Sequence, residues 1–226
     1  MKKVLITGAG RGIGLALTKE FVAKGYQVIG TYRDASSAKE LLQLSDSSSV
    51  IAVTADLTDE STFGPLKEQL KNLKSIDILI NNAGVIGEKA SSILELDLEG
   101  VREVLDVNTL GPMRMSQLVI PFMNKSGIVA QITSQMGSIS DNKSGGYYDY
   151  RMSKAALNMF NMCLSKEFTS LTCLTLHPGW VKTDMGGAGA TVTTKDCAAG
   201  LFQVITSATS KQTGEFYNFK GEHLPW

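Results

Sequence analysis

The chain has 226 residues, 43% of them apolar and 19% charged, and its 22 basic and 22 acidic side chains cancel. That composition suits one folded α/β domain and excludes a disordered chain. The lack of a basic block speaks against nucleic acid as a partner, and the lack of an apolar run near the roughly 20 residues of a bilayer crossing speaks against a membrane.

In chain order, short and almost continuously apolar runs predict strands over 3–7, 27–31, 50–54, 76–80, 127–133, 172–177 and 215–219. Runs of that kind read as strands buried on both faces. Helical patterns fill the intervals at 13–24, 36–43, 60–73, 98–124, 148–169 and 194–206. Alternating β and α units with right-handed crossovers predict a single-domain Rossmann fold over 1–226. It is a doubly wound seven-stranded parallel sheet with helices on both faces. Cys163, Cys173 and Cys197 are scattered and odd in number, which suits neither a disulfide framework nor a metal cluster. His177 and His223 are too few for a histidine-based metal site, so no metal is expected. The residues before Gly8 are too short an apolar stretch for a signal peptide, and reduced thiols fit a cytoplasmic location.

The first strand runs into Thr7-Gly8-Ala9-Gly10-Arg11-Gly12-Ile13-Gly14, followed by a helix. Glycines let the backbone turn sharply and approach a pyrophosphate, and the helix aims its unpaired N–H groups and positive dipole end at that anion. The second strand ends in Thr31-Tyr32-Arg33-Asp34. Selection of NAD needs an acidic residue here to accept from the ribose 2′-hydroxyl. Tyr32 stands in that slot, and Arg33 and Arg11 suit a 2′-phosphate through forked, charge-assisted hydrogen bonds. NADP(H) is therefore favoured; NAD(H) stays open because Asp34 is able to pair with Arg33.

Carbonyl reduction needs a proton donor at the developing alkoxide. Tyr150 and Lys154 stand four residues apart on one face of a predicted helix, where the lysine cation is expected to lower the phenol pKa toward neutrality. Thr7–Gly14 as TGxxxGxG, Asn81-Asn82-Ala83-Gly84, Asn108, the YxxxK of Tyr150 and Lys154, and Pro178-Gly179 follow in the order and spacing of one family. Over its whole length the chain resembles the short-chain dehydrogenase/reductases. Within them it is similar to the carbonyl-reductase branch that includes sniffer-type reductases and C-factor signalling proteins.

That resemblance implies a catalytic set of Asn108, Ser134, Tyr150 and Lys154, with Asn108 holding a water that links Lys154 to solvent. A kink or cap asparagine is the structural alternative for Asn108. Ser134 ends the fifth strand and has Gly137 three residues on, as in the family's SxxG pattern, but it lies sixteen residues before Tyr150, more than the family's usual interval. Ser138 fits that interval but not the strand end, so Ser134 is expected to be the catalytic serine, with a loop insertion over 141–146. Cofactor contacts are implied for Gly8, Gly10, Arg11, Gly12, Ile13, Gly14, Arg33, Asp56, Leu57, Asn82, Ala83, Gly84, Tyr150, Lys154, Pro178, Gly179, Val181 and Thr183. Asp56 also reads as a helix cap.

The substrate side is expected to use Ser134, Met136, Tyr150, Trp180 and Met185. The segment 184–192 is rich in glycine, alanine and threonine, which suits a small neutral carbonyl or alcohol. The expected activity is NADP(H)-dependent interconversion of such a pair; the alternative is a nucleotide-binding signalling protein of the same fold. The apolar surplus on helices 98–124 and 148–169, including Met159, Phe160 and Met162, together with the family's four-helix interface, implies a homodimer or homotetramer.

Overall fold

A computed structural model describes residues 1–87 and 92–226. Its sheet is parallel throughout, with the order β3-β2-β1-β4-β5-β6-β7 among the described residues. The strands are β1 (Lys3–Ile6), β2 (Gln27–Tyr32), β3 (Val50–Thr54), β4 (Ile76–Asn81), β5 (Met123–Ile132), β6 (Thr172–His177) and β7 (Phe216–Asn218). The helices are α1 (Gly12–Ala23), α2 (Lys39–Leu44), α3 (Gly64–Leu73), α4 (Leu98–Leu105), α5 (Gly111–Val119), α6 (Tyr148–Glu167) and α7 (Thr194–Ser207). Strand order reverses between β1 and β4, which opens a crevice at the carboxyl ends of the strands where such sheets hold ligands.

Two apolar layers hold the sheet. On one face Val4, Ile6, Ile80 and Leu176 pack against Leu17 and Phe21 of α1, Leu41 of α2, and Leu201 and Ile205 of α7. On the other, Leu5, Leu79 and Val129 meet Leu66 and Leu70 of α3, Met115 and Val119 of α5, and Leu164 of α6. Consecutive strand residues thus feed opposite layers, and the runs read as continuously apolar because both faces are covered. Among the described residues no helix is long and apolar enough to cross a membrane.

The helix expected over 98–124 is not one element. It breaks into α4, a π-helical turn over Asp106–Leu110, α5, and a 3-10 turn over Ile120–Phe122, and β5 begins at Met123, four residues before its expected start. Pro112 and Pro121 each remove a backbone donor from the ladder. Gly111 sits so close to Leu57 that an added Cβ would lie 2.9 Å from the Leu57 Cβ. The early start of β5 goes with a register shift where Ile76 pairs with Met123 but Ile78 with Ile128. Residues 36 and 37, expected as the start of a helix, belong instead to a 3-10 turn over Ala35–Ser37, capped by the Asp34 carboxylate accepting from the Ser36 amide at 3.1 Å.

Candidate active site

The carboxyl ends of the strands border one cleft of about 1690 Å³. Its walls include every residue expected to contact cofactor or substrate, from Gly8 through Met185; Asn108 stands behind the wall. Gly8 and Gly12 adopt φ of 63° and 55°, a conformation that favours glycine, and so turn the chain out of β1 into α1. Arg11, the residue preceding α1, offers no side-chain cap to its amides, so the first turn keeps donors for an anion. Thr7 and Asn82 tie this turn to the end of β4. The Thr7 hydroxyl accepts from the amides of Asn82 and Ala83 at 2.9 and 3.0 Å, and the Asn82 side chain donates to the Thr7 carbonyl at 2.9 Å.

The two arginines differ. Arg33 makes no ion pair among the described residues, and the Asp34 carboxylate bonds Ser36 instead. That hydrogen bond, with a smaller contribution from Arg33, holds the Asp34 pKa below the usual carboxylate value. Arg11 is paired with Asp184 at 2.9 Å, across the mouth of the cleft from the glycine turn to the segment after β6. Asp56 accepts from the Thr58 amide and hydroxyl at 3.0 and 2.8 Å. The 3-10 turn Glu60–Phe63 that leads into α3 is capped by Asp59, whose carboxylate takes the Ser61 amide, so the cap reading of Asp56 is corrected.

The π-helical turn aims Asn108 inward. Its Oδ1 accepts from the Val85 amide and its Nδ2 donates to the Val85 carbonyl, both at 2.8 Å, and Nδ2 also donates to the Ser153 hydroxyl at 3.0 Å. The side chain thereby clamps the segment after β4 to α6. Ser134 follows β5, is buried, lines the cleft, and accepts the Met136 amide at 3.1 Å. Ser138 lies off the cleft wall and accepts the Asp141 amide at 3.1 Å. The structure thus brings Ser134, and not Ser138, beside Tyr150.

Burial pushes the Tyr150 phenol up to about 12, and a hydrogen bond with the Ser134 side chain offsets part of the rise. This runs opposite to the expected fall toward neutrality. The Lys154 ammonium lies 5.6 Å from the Tyr150 ring centre, and desolvation is the larger influence on the phenol. Burial also lowers Lys154 itself to about 8. Its Nζ donates to the Ile132 carbonyl at 3.0 Å, with no carboxylate partner among the described residues. At neutral pH Tyr150 therefore carries its proton, the form needed to protonate an alkoxide.

The segment after β6 is pinned rather than loose. Val181 bridges to Val192, and the Trp180 indole N–H donates to the Gly186 carbonyl at 2.8 Å. This leaves Trp180 and Met185 exposed along the cleft rim. Sequence reasoning passed over His177, which also lines the cleft; its one signal is its place just before Pro178-Gly179. Its Nδ1 is buried without a hydrogen-bond partner among the described residues, and burial lowers its pKa to about 4. The unfolded chain takes up this proton below about 6.5, the folded one only near 4. Stability contributed by neutral His177 is therefore present above pH 6.5 and is lost as pH falls to 4, by about 3 kcal/mol. Urea midpoints between pH 7 and 4 measure it, and His177→Asn is expected to flatten that part of the profile.

A Rossmann sheet with an uncapped glycine turn and a half-buried tyrosine beside a buried lysine on one cleft defines a dinucleotide-dependent oxidoreductase architecture. The short chain dehydrogenase family matches residues 2–191, and the chain belongs to that family. It is 39% identical to the C-signal protein of Myxococcus xanthus over 155 residues, 67% of this chain and 93% of that protein. In structure it is similar to the carbonyl reductase Sniffer of D. melanogaster, with a TM-score of 0.95, 31% identity and full coverage of both chains. It is also similar to the NADPH-bound carbonyl reductase from chicken fatty liver, with a TM-score of 0.91, 34% identity, and coverage of 100% and 99%.

Proposed function

We propose that the protein reduces a small neutral carbonyl compound with NADPH and catalyses the reverse oxidation. The observation that carries this reading is the half-buried Tyr150 phenol bonded to the Ser134 side chain and set beside the buried Lys154, in the cleft that also holds the glycine turn and Arg33. The residues fit the cofactor. The amides at the start of α1 suit the pyrophosphate, Arg33 suits the 2′-phosphate, and Lys154, with one acceptor for its three N–H groups among the described residues, suits the ribose hydroxyls. When bound, the cofactor supplies the hydride.

The chain supplies the rest. Ser134 orients the carbonyl oxygen and Tyr150 gives it a proton. Lys154 donates to the ribose and, while charged, opposes protonation at the phenolate left behind. Asn108, through its clamp on Val85 and Ser153, holds the segment after β4 in place beside Lys154. Trp180, Met185 and Met136 form an apolar rim suited to a neutral substrate. Exposed Leu98, Met152 and Met159 on α4 and α6 support a homodimer or homotetramer.

The test is a panel of aldehydes, ketones and quinones with NADPH, read at the nicotinamide absorbance; consumption with at least one class is expected, and none with any would reject the reading. Ser134→Ala is expected to cost roughly 10²- to 10³-fold in kcat, the usual loss for one oxyanion donor, and Ser138→Ala little. The resemblance to C-signal motivates a second reading, a nucleotide-binding signalling protein. A protein that only binds has no need of the complete Asn108, Ser134, Tyr150 and Lys154 set, so the enzyme is favoured.

A further inference from the structure

The loop between the 3-10 turn Gln135–Gly137 and α6 forms the substrate-side wall: Gln135, Met136, Asp141 and Tyr147 all border the cleft beside Ser134 and Tyr150. Its backbone is unusual. Gly145, Gly146 and Tyr147 hold φ of 63°, 64° and 48° in succession, and for tyrosine that left-handed conformation is unfavourable unless its surroundings impose it.

One side chain ties this run to the far end of the loop. The Arg151 guanidinium donates from Nε to the carbonyls of Gly145 and Gly146 at 3.2 and 3.1 Å, from Nη1 to the Met136 carbonyl at 3.3 Å, and from Nη2 to the Ser144 hydroxyl at 2.9 Å. A single planar fork thus joins both ends of the loop. Its acceptors are all neutral, and it has no carboxylate partner among the described residues. The middle of the loop is tied separately. The Ser140 amide donates to the Trp226 main-chain oxygen at 3.0 Å, and Trp226 stacks on Phe216 with ring centres 5.3 Å apart. Loss of Arg151 would therefore uncouple the two ends, which carry Met136 and Tyr147, from each other and leave the middle anchored.

We propose that Arg151 is a positioning residue: its guanidinium fixes the 135–147 loop so that Met136 and Tyr147 form the substrate wall next to Ser134 and Tyr150. Arg151 acts by the geometry of its fork. A lysine carries the same charge but concentrates its donors on one nitrogen and cannot span four acceptors on opposite sides of the loop.

The kinetic arm of the test rests on the carbonyl-reductase reading. Arg151→Met and Arg151→Lys are both expected to raise KM for the carbonyl about 10- to 100-fold, with a smaller fall in kcat, since ångström-scale misplacement costs on that order. NADPH affinity and the circular dichroism spectrum should match the wild type. The second arm needs no substrate. Exposed Lys143 sits at the loop tip, and trypsin cleavage after it, mapped by mass spectrometry, is expected to be more than about tenfold faster in both variants. Arg151→Lys with wild-type KM and wild-type resistance would overturn the proposal, as would a folded Arg151→Met with either property unchanged. If Arg151→Met fails to fold, Arg151→Lys decides by itself. If the wild type reduces no carbonyl, the activity reading falls while the trypsin arm still judges Arg151.

Discussion

Tyr150→Phe is expected to lower kcat by about 10²- to 10⁴-fold, the range for loss of a positioned general acid, and to leave NADPH affinity near the wild-type value. The ring remains to fill its half-buried site, and only the hydroxyl with its transferable proton is removed. Lys154→Ala differs because it takes away the buried cation that donates to Ile132. That variant should lose both turnover and cofactor affinity. Single-turnover kinetics with fluorescence titration of NADPH separate the two effects, and substantial turnover by Tyr150→Phe would contradict the assignment.

The second large effect concerns cofactor choice. A hydrogen bond to a charged group contributes about 1.5–3 kcal/mol, roughly 10- to 100-fold in affinity for each arginine that meets the 2′-phosphate. Arg33 is available for this. Arg11 has first to leave Asp184, but an ion pair this exposed is worth only about 0–1 kcal/mol, less than the phosphate offers. Tyr32→Asp combined with Arg33→Ala is therefore expected to reverse the preference to NADH, since it removes an attraction and adds a repulsion. Asp184→Asn, which releases Arg11, should move the preference further toward NADPH. Both effects should shrink as salt rises, because Arg33 and Arg11 are exposed. Titration of NADPH and NADH at two ionic strengths checks this, and equal affinities in the wild type would contradict it.

The parts of the fold legible in the sequence were those set by local pattern. The first four strands and β6 are apolar runs covered on both faces, so their composition marks them almost to the residue. The helix expected over 98–124 failed because its interruptions depend on distant partners: Asn108 reaches Val85, and Gly111 lies against Leu57. The site divides the same way. The glycine turn and the Tyr150–Lys154 spacing are local, and Ser134 was separable from Ser138 by its place at a strand end. Arg11 and Asp184 lie 173 residues apart, and no spacing rule joins them. Arg151 stands inside the YxxxK motif, yet its partners belong to a loop that only the folded chain brings around it. The Tyr150–Lys154 spacing shows the charge beside the phenol, whereas the desolvation that raises the phenol pKa depends on the folded surroundings.

The central claim is that binding NADPH and consuming it belong to one protein and depend on one phenol. The direct test follows NADPH binding by fluorescence and its oxidation by absorbance in the same samples, wild type and Tyr150→Phe, across the carbonyl panel. Binding by both proteins with oxidation only by the wild type is the predicted result. Tight NADPH binding by the wild type with no oxidation across the whole panel would contradict the claim and favour the signalling reading.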